Sequence, residues 1–328
     1  MLSSLDVKLS EKAATTVDAE RILKATPYSR FRSRYTGKSL RATLSDLVFL
    51  ASLNKDHTLG TTLDKLLDFT QFTLDQLFSE KEDTKEDISR LFDLDTRIIH
   101  AFYLGETDLS NRYRNELQKT IQCLMPKLDQ SSDEMARERY LQNVYTSFES
   151  NLDKIRQFAF VSYKFLKNKV DSIIYIAHGG AETAFLTKSL LGERLEFIPL
   201  IYSTYKTPHF RKQNGDKTNN TPIMYRESEA LKKRILLVDD DIDTGKTISS
   251  VLSFLTEKFN PDALYFGAPL SQQFSLYDKD GTIPVNWSKY NVKVIAEDPS
   301  IRRRYLEEVK SGYKPTSMRG LGLYKLLK

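Results

Sequence analysis

The sequence predicts an all-α domain over residues 1–169 followed by an α/β domain over residues 170–328. Up to residue 169, apolar side chains recur three and four positions apart with few glycines or prolines between them, which is the pattern of one helix face. From Asp171 onward, short β-branched apolar runs alternate with helical stretches, as in a mostly parallel sheet covered on both faces. At 328 residues, the chain is long enough for each half to bury a core of its own.

In the first half, LRATLSDLVFLASL (40–53) and TTLDKLLDFTQFTLDQLF (61–78) carry the helical spacing. DTKEDISRLFDLDTRIIHAFYL (83–104) repeats it, with acids gathered in its first turns where the helix dipole favours them. LSNRYRNELQKTIQCLM (109–125) is a fourth helix, and a long one is predicted from Ser132 to Lys169, where no glycine or proline interrupts. No internal repeat is present. In the second half, SIIYIA (172–177) is a strand ending at Gly179-Gly180, and AETAFLTKSLLG (181–192) is a helix stopped by glycine. RLEFIPLIY (194–202), RILLVD (234–239), DALYFGA (262–268) and VKVIA (292–296) are further strands, and TISSVLSFLTEKF (247–259) is a helix.

Composition excludes several classes of function. One cysteine, Cys123, rules out a disulfide framework, and four scattered histidines rule out a cysteine/histidine zinc site. The first residues show no apolar signal core and nothing later approaches the roughly 20 apolar residues of a membrane span, so a soluble, cytoplasmic protein is expected. The net charge of +5 is local in origin. Residues 1–150 hold 21 basic against 24 acidic side chains, whereas residues 301–328 hold 8 against 2. A second basic run, Arg21 to Arg41, has seven cations and no acid.

The most informative stretch is RILLVDDDIDTGKT (234–247), with four carboxylates in five positions between an apolar strand and a helix start. In such sheets ligands bind outside the carboxyl ends of the strands, where this loop falls. It is not a Walker A loop, which needs a glycine where Asp240 stands, and carboxylates there would repel phosphate. The acidic pair of a phosphoacceptor receiver is not expected either, because no lone aspartate ends a third strand at a suitable distance. A solvated acidic turn capping the next helix would account for Asp243 or Thr244, but not for Asp239 and Asp240 at the end of a buried strand.

ILLVDDDIDTGKT resembles the thirteen-residue signature of type I phosphoribosyltransferases: four apolar residues, two acids, two mostly apolar residues, then a small or acidic residue and Thr-Gly-x-Thr. The resemblance covers roughly residues 170–300 and implies that family's α/β fold. It implies binding of phosphoribosyl pyrophosphate (PRPP) with Mg²⁺, and transfer of phosphoribose to a nitrogenous base with release of pyrophosphate. By motif position, Asp239 and Asp240 would hold the ribose hydroxyls, and the Mg²⁺ indirectly through ribose or water. Thr244, Gly245, Lys246 and Thr247 would wrap the 5′-phosphate, since a helix N-terminus offers unpaired N–H groups to an anion. Asp243 would handle a base-ring proton. Asp241 departs from the family, which has an apolar or small residue there; a third adjacent carboxylate adds unfavourable charge beside an anionic ligand.

Two further stretches fit the same resemblance. IAHGG resembles the pyrophosphate-binding Leu-Lys-Gly-Gly loop of hypoxanthine-guanine phosphoribosyltransferases, making Ala177, His178, Gly179 and Gly180 the pyrophosphate loop, with a strained or cis Ala177–His178 peptide. His178 in place of lysine makes the charge there pH-dependent. STYKTPHFRKQNGDKTNN (203–220) stands where type I members keep a loop that closes over PRPP, with Lys206, Arg211 and Lys212 placed to meet pyrophosphate charge. The base-contacting hood would lie in residues 269–300, where Trp287 and Tyr290 are candidates for stacking on a base, although hydrophobic packing is the more common use of either side chain.

A different class of function is also compatible with the sequence. Arg30, Arg32 and Arg34 interleave with Tyr28, Phe31 and Tyr35, and Arg302, Arg303 and Arg304 open the basic tail, a combination able to contact phosphates and stack on bases. With the extra helical domain, the architecture is similar to phosphoribosyltransferase-like accessory subunits of bacterial retron anti-phage complexes, which implies a nucleic-acid or protein partner.

Overall fold

The computed structural model describes residues 21, 40–53, 58–77, 85–128, 148–177, 180–192, 194–202, 222–224, 233–239, 241–242, 246–271, 287, 289–295 and 307. The chain divides into two compact units. One takes in the described helices up to Tyr163 together with the stretch Phe185–Glu193, and the other begins at Lys164. The expected boundary at 169/170 therefore lies six residues past the observed one, and part of a helix expected in the α/β half groups with the helical unit.

The helical unit is built from α1 (Leu40–Ser52), α2 (Thr58–Leu77), α3 (Lys85–Tyr103), α4 (Asn111–Leu124) and the part up to Tyr163 of α5 (Phe148–Leu166). The predicted long helix is described only from Phe148, and its earlier part lies outside the described residues. Helix α1 packs on α2, α2 on α3, α3 on α4 and α4 back on α1, closing a four-membered ring of helices. Leu44 and Leu47 of α1, Leu63 and Leu66 of α2, Leu94 and Ile98 of α3, and Leu117 and Ile121 of α4 are buried, at the three- and four-residue spacings that the sequence shows. Ser110 caps α4 by accepting a hydrogen bond from Tyr113 N–H, and Gly105 ends the turn after α3 at φ 89°. Within this unit Phe185 meets Phe92 at a ring-centroid distance of 5.6 Å, Lys188 Nζ lies 3.4 Å from Asp93 Oδ1, and His100 Nδ1 lies 3.0 Å from Ser189 Oγ.

Asp95 is fully buried on α3. Thr70 Oγ1 donates to its Oδ2 at 2.6 Å, while Oδ1 has no hydrogen-bond partner. Burial is the main cause holding this carboxyl well above the usual carboxylate range; the Thr70 hydrogen bond and the Lys188 charge pull the other way. The folded protein thus keeps a proton that the unfolded chain releases. Its stabilising contribution is complete at low pH and is lost as pH rises through the folded value. Asp95→Asn should therefore gain stability relative to the natural chain as pH is raised, by a few °C in melting temperature, with the gain vanishing below about pH 4. Melting curves from pH 4 to 9 check this; parallel curves for the two proteins would sink it.

The α/β unit is built on a six-stranded sheet in the order β3-β2-β1-β4-β6-β8. Its strands are β1 (Ser172–Ile176), β2 (Glu196–Ile201), β3 (Ile223–Met224), β4 (Arg234–Val238), β6 (Ala263–Gly267) and β8 (Val292–Val294). All neighbours are parallel except the β2–β3 edge pair. A separate parallel pair joins β5 (Asp241–Ile242) to β7 (Leu270–Ser271). Helix α6 (Ala181–Leu191) follows β1, and α7 (Lys246–Phe259) lies between β5 and β6.

Alternate residues of the central strands, Ile174 and Ile176, Ile235 and Leu237, Leu264 and Phe266, enter one core with Ile248, Val251, Leu252 and Leu255 of α7. The strand residues between them, Ile173, Tyr175, Leu236 and Val238, are buried as well. Burial on both faces explains why these strands read as continuous apolar runs instead of alternating ones. The mostly parallel α/β class and the helical N-terminal part are as the sequence predicts. Arg234 pairs with Asp171 through two hydrogen bonds, Nε to Oδ2 at 2.7 Å and Nη2 to Oδ1 at 2.6 Å, joining the entrances of β4 and β1.

Candidate functional site

The strand order reverses between β1 and β4. From β1 the chain builds outward through β2 and β3 on one side, and from β4 through β6 and β8 on the other. At such a reversal the connections leave in opposite directions and open a crevice at the carboxyl ends of the two strands. The residues there are Ile176 and Ala177 at the end of β1, and Val238 and Asp239 at the end of β4.

The two strand ends are in close contact. A methyl group on Gly180 would stand 2.9 Å from the Val238 carbonyl oxygen, 3.1 Å from Asp239 Cα and 3.2 Å from the Ile176 carbonyl oxygen. All three are backbone atoms, so Gly180 is required for the space its missing side chain leaves, since its φ is not in the left-handed region. Asp239 is only 6% exposed, and its N–H continues the sheet ladder to the Gly267 carbonyl at 3.2 Å.

Two of the four amides in the expected pyrophosphate loop are committed to the fold. Ala177 N–H donates to the Leu200 carbonyl at 2.8 Å, and Gly180 N–H donates to the Ile176 carbonyl at 3.1 Å. The expectation that glycine amides of this loop approach an anion is corrected at Gly180, whose contribution is close approach to β4. His178 and Gly179, and with them the Ala177–His178 peptide, lie outside the described residues.

Beyond Asp239, the acidic loop is held by pairing of Asp241–Ile242 with Leu270–Ser271, which fastens it to the chain leaving β6. Helix α7 then starts at Lys246, with Thr247 half-buried in its first turn. The first N–H groups of an α-helix have no intrahelical partner, so this turn can receive an anion. Asp240, Asp243, Thr244 and Gly245 lie outside the described residues, as do Lys206, Arg211, Lys212, Arg30, Arg32, Arg34, Arg302, Arg303 and Arg304.

The structure corrects Trp287 as a base-stacking residue. It is 2% exposed, meets Phe266 edge-on at 5.6 Å and 89°, and belongs to the sheet core. A ring so enclosed offers no face to a base. Tyr290 is half-buried against the same core, with Lys289 Nζ 4.7 Å from its ring centroid.

Two residues of interest were not legible in the sequence. Glu182, in the first turn of α6, is a second buried carboxylate two positions past Gly180; its only signal is an acid near a helix start, which the dipole explains equally well. Ser249 accepts a hydrogen bond from Trp287 Nε1 at 2.8 Å, and no sequence pattern marks it.

Fold and site together define an α/β domain whose candidate ligand crevice is at the β1/β4 reversal, preceded by a helical part. No helix among the described residues is long and apolar enough to cross a membrane. No family model matches the chain, and no curated protein matches it. Among solved structures it is similar to a purine phosphoribosyltransferase from Pyrococcus horikoshii, at 22% identity and TM-score 0.28, over 39% of this chain and 84% of that one. It is also similar to a hypothetical protein from Neisseria gonorrhoeae with bound ppGpp, at 15% identity and TM-score 0.28, over 52% of this chain and 97% of that one. Identity and superposition this low say nothing of what this chain binds.

Proposed function

We propose that the α/β domain binds PRPP at the β1/β4 crevice and transfers its phosphoribosyl group to a nitrogenous base. The observation that carries this reading is the placement of a buried strand-end carboxylate, Asp239, against Gly180 at the sheet reversal, with the start of α7 seven positions further along the chain. That order of carboxylate, loop and helix start matches the needs of a ribose 5-phosphate: hydroxyl donors at one end and an anion at the other.

In this reading Asp239 accepts hydrogen bonds from the ribose hydroxyls, and burial strengthens them by excluding water. The first-turn amides of α7 receive the 5′-phosphate. The bond from ribose C1 to pyrophosphate oxygen breaks, its electron pair leaving with the pyrophosphate; a bond from C1 to a base nitrogen forms, and the proton of that nitrogen passes to solvent. Among the described residues, no three His, Cys, Asp or Glu side chains converge into a metal cage. Mg²⁺ keeps waters and substrate phosphate oxygens as ligands, so Asp239 would support it indirectly, through ribose or water. Bound there, Mg²⁺ would neutralise the charge that develops on the leaving pyrophosphate.

Calorimetric titration with PRPP tests the reading. Binding is expected with Mg²⁺ and is expected to weaken about 10- to 100-fold in Asp239→Asn, the loss of charge-assisted hydrogen bonds worth about 1.5–3 kcal/mol. Absence of binding to the natural chain in Mg²⁺, or equal binding by the variant, overturns it.

A further inference from the structure

We infer that Trp287 is a positioning residue for the first turn of α7, holding the proposed phosphate-binding amides in place through Ser249; this rests on the PRPP reading given above. Its indole Nε1 donates to Ser249 Oγ at 2.8 Å, and Ser249 is the fourth residue of α7, one turn from its start. The first turn of a helix is where backbone donors lack partners and where helices fray. Anion binding requires those donors to be held within about half an ångström of the productive geometry. A turn with this task gains from an anchor outside the helix.

Trp287 provides that anchor because its own position is fixed by the sheet. Its ring lies edge-on to Phe266 of β6, within the cluster that also contains Ile248 and Val251 of α7. Its carbonyl accepts from Tyr290 N–H at 2.9 Å, at the approach to β8, which pairs with β6. Packing alone would be served by phenylalanine. Tryptophan brings an N–H that must find a partner when buried, and the partner here is a side chain at the helix start. The hydrogen bond therefore joins the segment expected to form the base hood to the turn expected to hold the 5′-phosphate.

The test compares Trp287→Phe, Ser249→Ala, the double variant and Ser249→Thr. Ser249→Ala removes the acceptor with little change of volume, Trp287→Phe removes the donor together with part of the buried ring, and Ser249→Thr keeps the hydroxyl. Amide exchange across residues 250–253, whose N–H groups bond back to the carbonyls of the first turn, and PRPP affinity in Mg²⁺ are read together. Exchange there is expected to quicken about fivefold in either single variant, and affinity to fall about fivefold, the worth of one net hydrogen bond. The double variant should be no worse than the singles, because both remove the same interaction. Ser249→Thr should restore both readouts, which a loss of packing at Trp287 would not predict.

Binding by the natural chain with unchanged affinity and exchange in Ser249→Ala and Trp287→Phe overturns the inference and leaves the functional reading intact. Additive losses in the double variant also overturn it, since they would mean independent effects. Failure of the natural chain to bind PRPP overturns the functional reading and the inference with it, and is recognised without any variant.

Discussion

Gly180→Ala is expected to lose PRPP affinity by about 100-fold and to unfold with about 1–3 kcal/mol less stability. The added methyl would meet the carbonyl of Val238 at 2.9 Å and Cα of Asp239 at 3.1 Å, and neither can swing aside as a flexible side chain would. Val238 pairs through the sheet with both β1 and β6, so relief must come from moving the loop that Gly180 begins to close, or from shifting Asp239. Either movement disturbs the proposed ribose contact. The check is calorimetry beside thermal melting. A variant with the natural affinity and melting temperature would show that the β1 and β4 ends need not approach so closely, and would remove the geometric basis of the crevice.

Trp287→Ala is expected to cost about 3–5 kcal/mol of stability, the largest single loss anticipated in the α/β unit. The side chain is 2% exposed and fills the core between α7 and β6, so its removal leaves a cavity whose neighbours, Phe266 and the α7 residues, are themselves held by the sheet. Trp287→Phe keeps most of that volume and should cost much less. Chemical denaturation of both variants measures the difference. Equal losses would mean that the hydrogen bond to Ser249, and not packing, dominates what the indole contributes.

The outline of the fold was legible because its longer elements carry a period. Helices α1 to α4 announce themselves by three- and four-residue spacing, and the five parallel strands by apolar runs bounded by turns or charge. Strands β3, β5 and β7 have two residues each, too few to show any period, and exist because a partner strand lies alongside. The second half of α6 could not be assigned from sequence either. Alternation of strand and helix says that a helix follows β1, but the neighbours of Phe185, Lys188 and Ser189 on α3 are set by tertiary structure.

The site divides in the same way. That Asp239 ends a buried strand follows from the four apolar residues before it, and its burial is observed. That Gly180 spends its amide on the Ile176 carbonyl, and that Trp287 finds Ser249, depends on atoms brought together only by folding. Sequence pattern could place Trp287 in the hood segment but could not distinguish a ring facing a ligand from one facing the core, because an amphipathic aromatic suits both.

Trp287 is also the one tryptophan in the chain, and it belongs to the α/β unit. Its emission therefore reports on that unit alone, while circular dichroism in the far ultraviolet is dominated by helix and follows the other unit as well. Coincident transitions by the two signals would make the 328 residues one cooperative system. If the transitions separate, each unit has a stability of its own, and the fluorescent half identifies which of them a bound ligand protects.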